Sequence, residues 1–160
     1  MRQPEIQRDM RDAVLCWCAT SAPDGTPNVS PKEIFAPHGE DGLVIADIAS
    51  PVTVRNVRTG SSLCVSFINI FRQKGWKLEG PGQIIARSDA GFPDAVRDLV
   101  EMAGPDFPIR HVIRMRITRH TRIIAPGYRF RPDVPDEERI ACAMRAYGVQ
   151  ARDRDRPGDA

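Results

Sequence analysis

The chain has 160 residues, 41% of them hydrophobic and 28% charged, a composition typical of soluble globular proteins. Its length favours a single domain, residues 1–150, and a charged tail, 151–160, which we expect to be disordered. The net charge of +2 is too small to indicate general affinity for nucleic acid, and no apolar run approaches the roughly 20 residues of a membrane span. The charged N-terminal stretch lacks an apolar signal core, so we expect a cytoplasmic protein.

The first third of the chain is predicted to contain a helix and a β-hairpin. Pro4–Asp12 has the pattern of a short amphipathic helix, and Val14–Ser21 is typical of a strand. Asp24-Gly25 is a strong hairpin signal because glycine accepts a positive φ. The returning strand, Asn28–Phe35, contains Pro31, which cannot donate a backbone hydrogen bond, so this strand should lie at an edge.

The central segment is predicted to be a buried strand that leads into a helix. Leu43–Ala46 is a short apolar run that ends at Asp47. Ser50 followed by Pro51 is a helix-start signal, since the hydroxyl can accept from free backbone N–H groups, and the helix should stop at Gly60.

A strand end that leads into a helix N-terminus is a place where anions bind, because free N–H groups and the helix dipole point the same way. Arg55 and Asn56, one turn into the helix, would add a guanidinium group and an amide. The alternative interpretation is an ordinary helix packed through its valines.

The second half should continue with strands and helices. In chain order these are strand Ser62–Ile70, strand Leu78–Ala86 interrupted at Gly80-Pro81-Gly82, helix Gly91–Ala103, strand Arg110–Thr121 and helix Asp136–Tyr147. The total is six or seven strands in antiparallel hairpin order with two or three helices. This pattern predicts an α+β fold, mainly β, built as a small β-barrel with peripheral helices.

The sequence gives little support to a metal or redox site. The four cysteines show no CxxC spacing, and Cys16 and Cys18 would point the same way from one strand, as buried reduced thiols. The histidines, His38, His111 and His120, are scattered, so we expect no metal. No nucleophile–base pair is evident, and catalytic residues are not identified.

The ordered set of segments resembles the pyridoxamine 5'-phosphate oxidase-like family, the FMN-binding split barrels. The resemblance covers roughly Val14 to Ala125 and includes the DG hairpin, the returning strand with Ser30-Pro31-Lys32, the strand–Ser–helix unit with Arg55-Asn56, and Lys77-Leu78-Glu79-Gly80. It implies a six- or seven-stranded antiparallel split β-barrel, a homodimer, and FMN bound in grooves at the subunit interface.

The resemblance also implies the cofactor-binding residues. Ser30 and Lys32 would lie beside the flavin, Asp47 and Ser50 would line the turn, and Arg55 and Asn56 would approach the phosphate. From the next loop, the groups that would reach the ring or ribityl chain are Gln73, Lys74 and Trp76.

Two departures from the family pattern argue against true pyridoxamine phosphate oxidation. Many members have a lysine two residues before the Arg-Asn pair, where this chain has Thr53, and the Arg-x-x-x-x-Lys pattern is absent from the second strand. Arg55, Lys32 and Lys74 would compensate for the lost phosphate contacts.

Three functions therefore remain as hypotheses. The first is a flavin-dependent oxidoreductase that transfers hydride to or from a small organic substrate, with F420 or haem as alternative cofactors. The second is a carrier or sensor that binds flavin or a nucleotide without turnover. The third, nucleic-acid binding through Arg110, Arg114, Arg116, Arg119 and Arg122, is weaker because no aromatic residues lie between these arginines to stack bases.

Overall fold

The computed structural model describes residues 4–150, and the tail predicted to be disordered lies outside this range. Eight strands and five helices follow one another along it. The strands are β1 (Cys16–Ser21), β2 (Pro27–Lys32), β3 (Phe35–His38), β4 (Gly42–Asp47), β5 (Ser62–Asn69), β6 (Lys74–Ala86), β7 (His111–Arg116) and β8 (Arg119–Ile124). The helices are α1 (Pro4–Arg11), α2 (Pro51–Arg58), α3 (Phe92–Ala103), α4 (Gly127–Phe130) and α5 (Asp136–Tyr147).

All strand pairs are antiparallel, in the order β2-β1-β5-β6-β7-β4-β3, with β8 also paired to β6. The curled sheet forms a half-barrel, which confirms the predicted mainly-β, split-barrel fold. The predicted edge strand is confirmed, since β2 lies at one end of this order. No helix within residues 4–150 is long and apolar enough to cross a membrane.

Two apolar clusters meet on opposite faces of β4. Leu43 and Ile45 point into the barrel core, while Val44 and Ala46 pack with Leu99 of α3 in a second cluster. Every residue of β4 is therefore buried. This arrangement explains why the central strand is a continuous apolar run instead of an alternating one.

The structure corrects three predicted strand boundaries. The strand expected over Asn28–Phe35 is two strands, because the chain leaves β1 after Lys32 and Phe35 then pairs with Ile45 of β4. The strand expected over Arg110–Thr121 is also two, β7 and β8, which pair with different halves of β6.

Strand β6, by contrast, is continuous through Gly80-Pro81-Gly82, where an interruption was predicted. On one edge, β5 pairs with β6 up to Pro81. On the other edge, the partner changes from β8, which pairs up to Glu79, to β7, which pairs from Gly82 onward. Glycine is required at this crossing: a Cβ on Gly80 would lie 1.9 Å from the carbonyl oxygen of Arg116. Short helix α4 was not predicted.

Candidate functional site

The turn between β4 and α2 is organised by Asp47. Its carboxylate is buried, with the residue 4% exposed, and Oδ1 accepts a hydrogen bond from the Ser50 amide at 3.0 Å. Ser50 stands at the N-cap position, but its hydroxyl makes no bond to the helix amides. The capping role expected for this hydroxyl is therefore wrong, because Ser50 Oγ accepts a hydrogen bond from the Lys32 amine instead.

Lys32 lies on the inward-facing side of β2 and is only 7% exposed. Burial lowers the pKa of its ammonium below the usual value, while Cys18 and Asp47 act in the opposite direction. The contact with Ser50 joins the second strand to the start of α2. Two of the residues expected to meet at the cofactor are thus brought together.

A cavity of about 330 Å³ lies on one side of Ser50, against α2 and the start of β7. Arg55 lines it, as expected for a phosphate-binding residue, together with Arg58 and Arg110. The carboxylate that faces it, Asp47, is already bonded to the Ser50 amide. Three arginine residues and one hydrogen-bonded carboxylate therefore border this space, a charge balance that favours an anionic ligand.

His111 connects this carboxylate to one of the arginines. Its Nδ1 lies 2.8 Å from Asp47 Oδ2, and its Nε2 lies 3.1 Å from Arg58 Nη2. Because a guanidinium can only donate, Nε2 must accept, and Nδ1 carries the proton that is donated to Asp47. The imidazole thereby links Asp47 to Arg58 at the cavity wall.

A second cavity, of about 400 Å³, opens on the other side of Ser50 and reaches α3. Lys32 lines this second cavity, whereas Arg55 lines only the first. Ser50, Arg55 and Lys32 were expected to share one pocket. Instead, Arg55 and Lys32 line different cavities, and Ser50 borders both.

Ser30 and Asn56 lie in a polar network between the sheet and α2, and neither lines the two cavities. Ser30 Oγ is 3.2 Å from Thr53 Oγ1, and the Asn56 amide donates to Thr20 Oγ1 at 3.1 Å. Asn56 is fully buried, and its Oδ1 is the one buried side-chain polar atom of residues 4–150 without a hydrogen-bond partner. Thr53, also buried, contacts Ser30 and Asn28 in this network and does not line the arginine-lined cavity.

The remaining expected residues lie elsewhere in the chain and line neither cavity. Gln73 is exposed in the turn before β6, with φ of 55°. Lys74 forms an ion pair with Asp136 of α5 at 2.9 Å, and the Trp76 indole donates to Asp9 of α1 at 2.9 Å. Any contact of these three side chains with a cofactor at Ser50 would have to come from another subunit.

The sequence-based prediction missed Arg58, Arg110 and His111. Arg58 lies in the helix predicted after Ser50-Pro51, Arg110 belongs to the set considered for nucleic-acid binding, and His111 is one of the scattered histidines. The signal that unites them is the register of β4 and β7, which pairs Asp47 with His111. The pairing of strands 64 residues apart cannot be predicted from one sequence, so the sequence alone does not identify this part of the cavity.

An antiparallel curled sheet that forms a half-barrel, with helices packed against it, defines the split-barrel class of folds. Residues 3–122 match the family described as pyridoxamine 5'-phosphate oxidase, and the chain belongs to this family. A search of curated protein sequences finds no match.

Solved structures with the same fold include proteins of different function. HupZ of Group A Streptococcus aligns with a TM-score of 0.63 at 17% identity, covering 76% of this chain and 94% of HupZ. An FMN-binding protein from Syntrophomonas wolfei gives 0.59 at 13% identity, covering 76% and 88%. HutZ, the heme storage protein from Vibrio cholerae, gives 0.60 at 17% identity, covering 78% and 95%.

Proposed function

We propose that this protein binds FMN and acts as an oxidoreductase by hydride transfer at the flavin on a small organic substrate. The observation that carries the proposal is the cavity beside Ser50, with Arg55, Arg58 and Arg110 on its walls. Family membership supports a flavin, and the cavity supplies the groups that a terminal phosphate requires.

In this proposal the Ser50 hydroxyl and the Arg55 guanidinium hold the phosphate, and Arg58 and Arg110 add positive charge. His111 holds Arg58 in place through its Nε2. Lys32 provides a buried positive charge that would stabilise negative charge gathered on the reduced ring. The bound flavin would supply the electron-pair chemistry, and the protein would supply placement and electrostatics.

We also propose that the protein is a homodimer, joined through the outer face of the sheet. Trp17 is 49% exposed and Val29 is 57% exposed on this face. Strand register places Trp17 beside Pro31 and Ser66, and Ala19 beside Val29 and Cys64. Across β2, β1 and β5 these two rows contain no charged side chain, and an exposed apolar patch of this kind is typical of an interface.

The first experiment compares FMN with riboflavin, which lacks the phosphate. Arg55→Gln should weaken FMN binding by about tenfold or more, because it removes a charge-assisted hydrogen bond, and should leave riboflavin binding unchanged. Flavin fluorescence during titration measures both affinities. Arg114→Gln is the matched control, since Arg114 is exposed, donates to Gln83 and lines neither cavity. Equal loss of FMN and riboflavin affinity would place the phosphate elsewhere.

The cofactor and the turnover are tested separately. The absorption spectrum of the purified protein, with mass analysis of the small molecule released on heating, distinguishes FMN from F420 and from haem, which the fold also accommodates in HutZ. Reduction of the bound flavin by a reduced nicotinamide or a reduced deazaflavin supports the oxidoreductase. A flavin that none of these donors reduces supports a carrier or sensor without turnover.

A further inference from the structure

The second cavity, beside Lys32, combines a buried positive charge with an apolar wall. It extends from β2 to the C-terminal end of α3, and Ile34, Ile48, Met102 and Phe107 contribute apolar side chains. Of these four residues, Ile48 alone also lines the arginine-lined cavity on the other side of Ser50. A ligand here would therefore meet a different chemistry from that of a phosphate.

The ammonium of Lys32 forms no direct ion pair within the described part of the chain. Its recorded hydrogen bond goes to the neutral Ser50 hydroxyl, and no described carboxylate forms an ion pair with it. Asp47 attracts this charge without contacting it, and its two carboxylate oxygens are hydrogen-bonded to the Ser50 amide and His111. Glu33, which also lines the cavity, is exposed. A buried charge of this kind is costly unless an opposite charge meets it, which points to an anionic group on the ligand.

The mouth of the cavity indicates the rest of the ligand. Met102 is 50% exposed and Phe107 is 55% exposed, so two large apolar side chains face solvent next to the buried amine. We propose that this cavity binds an amphipathic organic anion, with its acidic group at Lys32 and its hydrocarbon body against Met102 and Phe107. The inference that such an anion is the substrate rests on the flavoprotein function proposed above. The inference that the cavity binds such an anion does not depend on that function.

Decanoate, kept below its micelle concentration, is the probe, and isothermal titration calorimetry of the full-length protein is the measurement. Decyltrimethylammonium has an alkyl chain one carbon longer and the opposite charge, and it should still bind at least about tenfold more weakly than decanoate. Octanoate, two methylenes shorter, should also bind about tenfold more weakly. Both comparisons use the unmodified protein, so neither depends on a variant that folds.

Variants then locate the site. Lys32→Met should weaken decanoate binding by about tenfold or more and should abolish the preference over the ammonium probe. Met102→Ser should weaken it severalfold through lost apolar contact. Val100→Ser is the matched control, because Val100 lies on the same helix and is 54% exposed but does not line the cavity.

Equal affinity for decanoate and the ammonium probe, or equal losses in Met102→Ser and Val100→Ser, would overturn the proposal. Parallel titration with FMN separates the two hypotheses. Absent FMN binding with the expected decanoate pattern would reject the flavoprotein and support the anion site. Normal FMN binding without decanoate binding would overturn the anion site alone.

Discussion

Lys32 places a positive charge where the barrel would otherwise bury an apolar side chain. Lys32→Met keeps an unbranched stem but removes the charge and its contact with Ser50. We expect FMN affinity to fall by about tenfold or more, since a hydrogen bond to a charged group contributes about 1.5–3 kcal/mol. The melting temperature without ligand should not fall, because the variant no longer buries an ammonium that lacks a direct ion pair.

Differential scanning calorimetry with and without FMN measures both effects. A lower melting temperature in the absence of ligand, with unchanged FMN affinity, would assign Lys32 a purely structural role. Ser66→Ala, on the outer face of β5, controls for general effects of substitution in the sheet.

Cys18 makes stability depend on pH in the alkaline range. Burial raises the pKa of its thiol from 9.0 to about 11. The folded state therefore keeps the proton while the unfolded chain loses it, so the stabilising contribution is complete below pH 9 and is lost as the pH rises towards 11. The free energy of unfolding should fall in this window by up to about 1.4 kcal/mol per pH unit for this group.

Urea denaturation at a series of pH values measures this slope. Cys18→Ala should reduce it, whereas Cys142→Ala should leave it unchanged, because Cys142 is exposed. A slope identical in both variants would show that other groups dominate alkaline unfolding.

At the scale of single elements, β6 is the strand on which both halves of the sheet depend. It pairs with β5 and β8 near its start and with β7 near its end. Gly80→Ala would force a Cβ against the backbone oxygen of Arg116, at 1.9 Å, which cannot move without shifting β7. We expect a loss of about 3 kcal/mol or more in the free energy of unfolding, measured by urea denaturation.

Gly25→Ala is the control for this substitution. Gly25 has φ of +86°, but its Cβ would meet nothing within 4 Å, so the cost should be confined to backbone strain, about 1 kcal/mol. Similar losses at both positions would mean that β6 and β7 separate easily at their crossing.

The elements were predictable wherever local pattern determines them. Helix α2 follows from Ser50-Pro51, and β4 from its apolar run, because both signals are local. The division of the predicted Arg110–Thr121 strand was not predictable, since alternation continues up to Ile117 and the break reflects where β7 and β8 find partners on β6. The site was also predictable only where local signals exist. Lys32 and Ser50 lie on elements that the sequence predicts, whereas His111 reaches Asp47 only through the pairing of β4 with β7.

For the whole molecule, the apolar outer face of β2, β1 and β5 has a direct consequence for assembly. Trp17→Glu would place a charge at its centre and should convert a dimer into a monomer, because burial of that charge is costly. Analytical ultracentrifugation measures the mass. Val100→Glu, at a similarly exposed valine on α3, should leave the assembly unchanged. A dimer that survives Trp17→Glu would require a different interface.

Pro27 and Pro31 of β2 limit the pairing of this edge strand with another molecule. The Ala22 amide donates a hydrogen bond to the Thr26 carbonyl, so hydrogen-bonded and non-hydrogen-bonded residue pairs alternate from this point along the hairpin. In this alternation the backbone nitrogens of Pro27, Val29 and Pro31 point away from β1. Proline nitrogens carry no hydrogen, so Val29 is the only one of these three residues with an outward N–H group. The β2 edge therefore offers a single backbone donor at these positions to a strand of another molecule. Growth into a fibril by strand addition is therefore disfavoured at this margin, even when the concentration is high enough for face-to-face association.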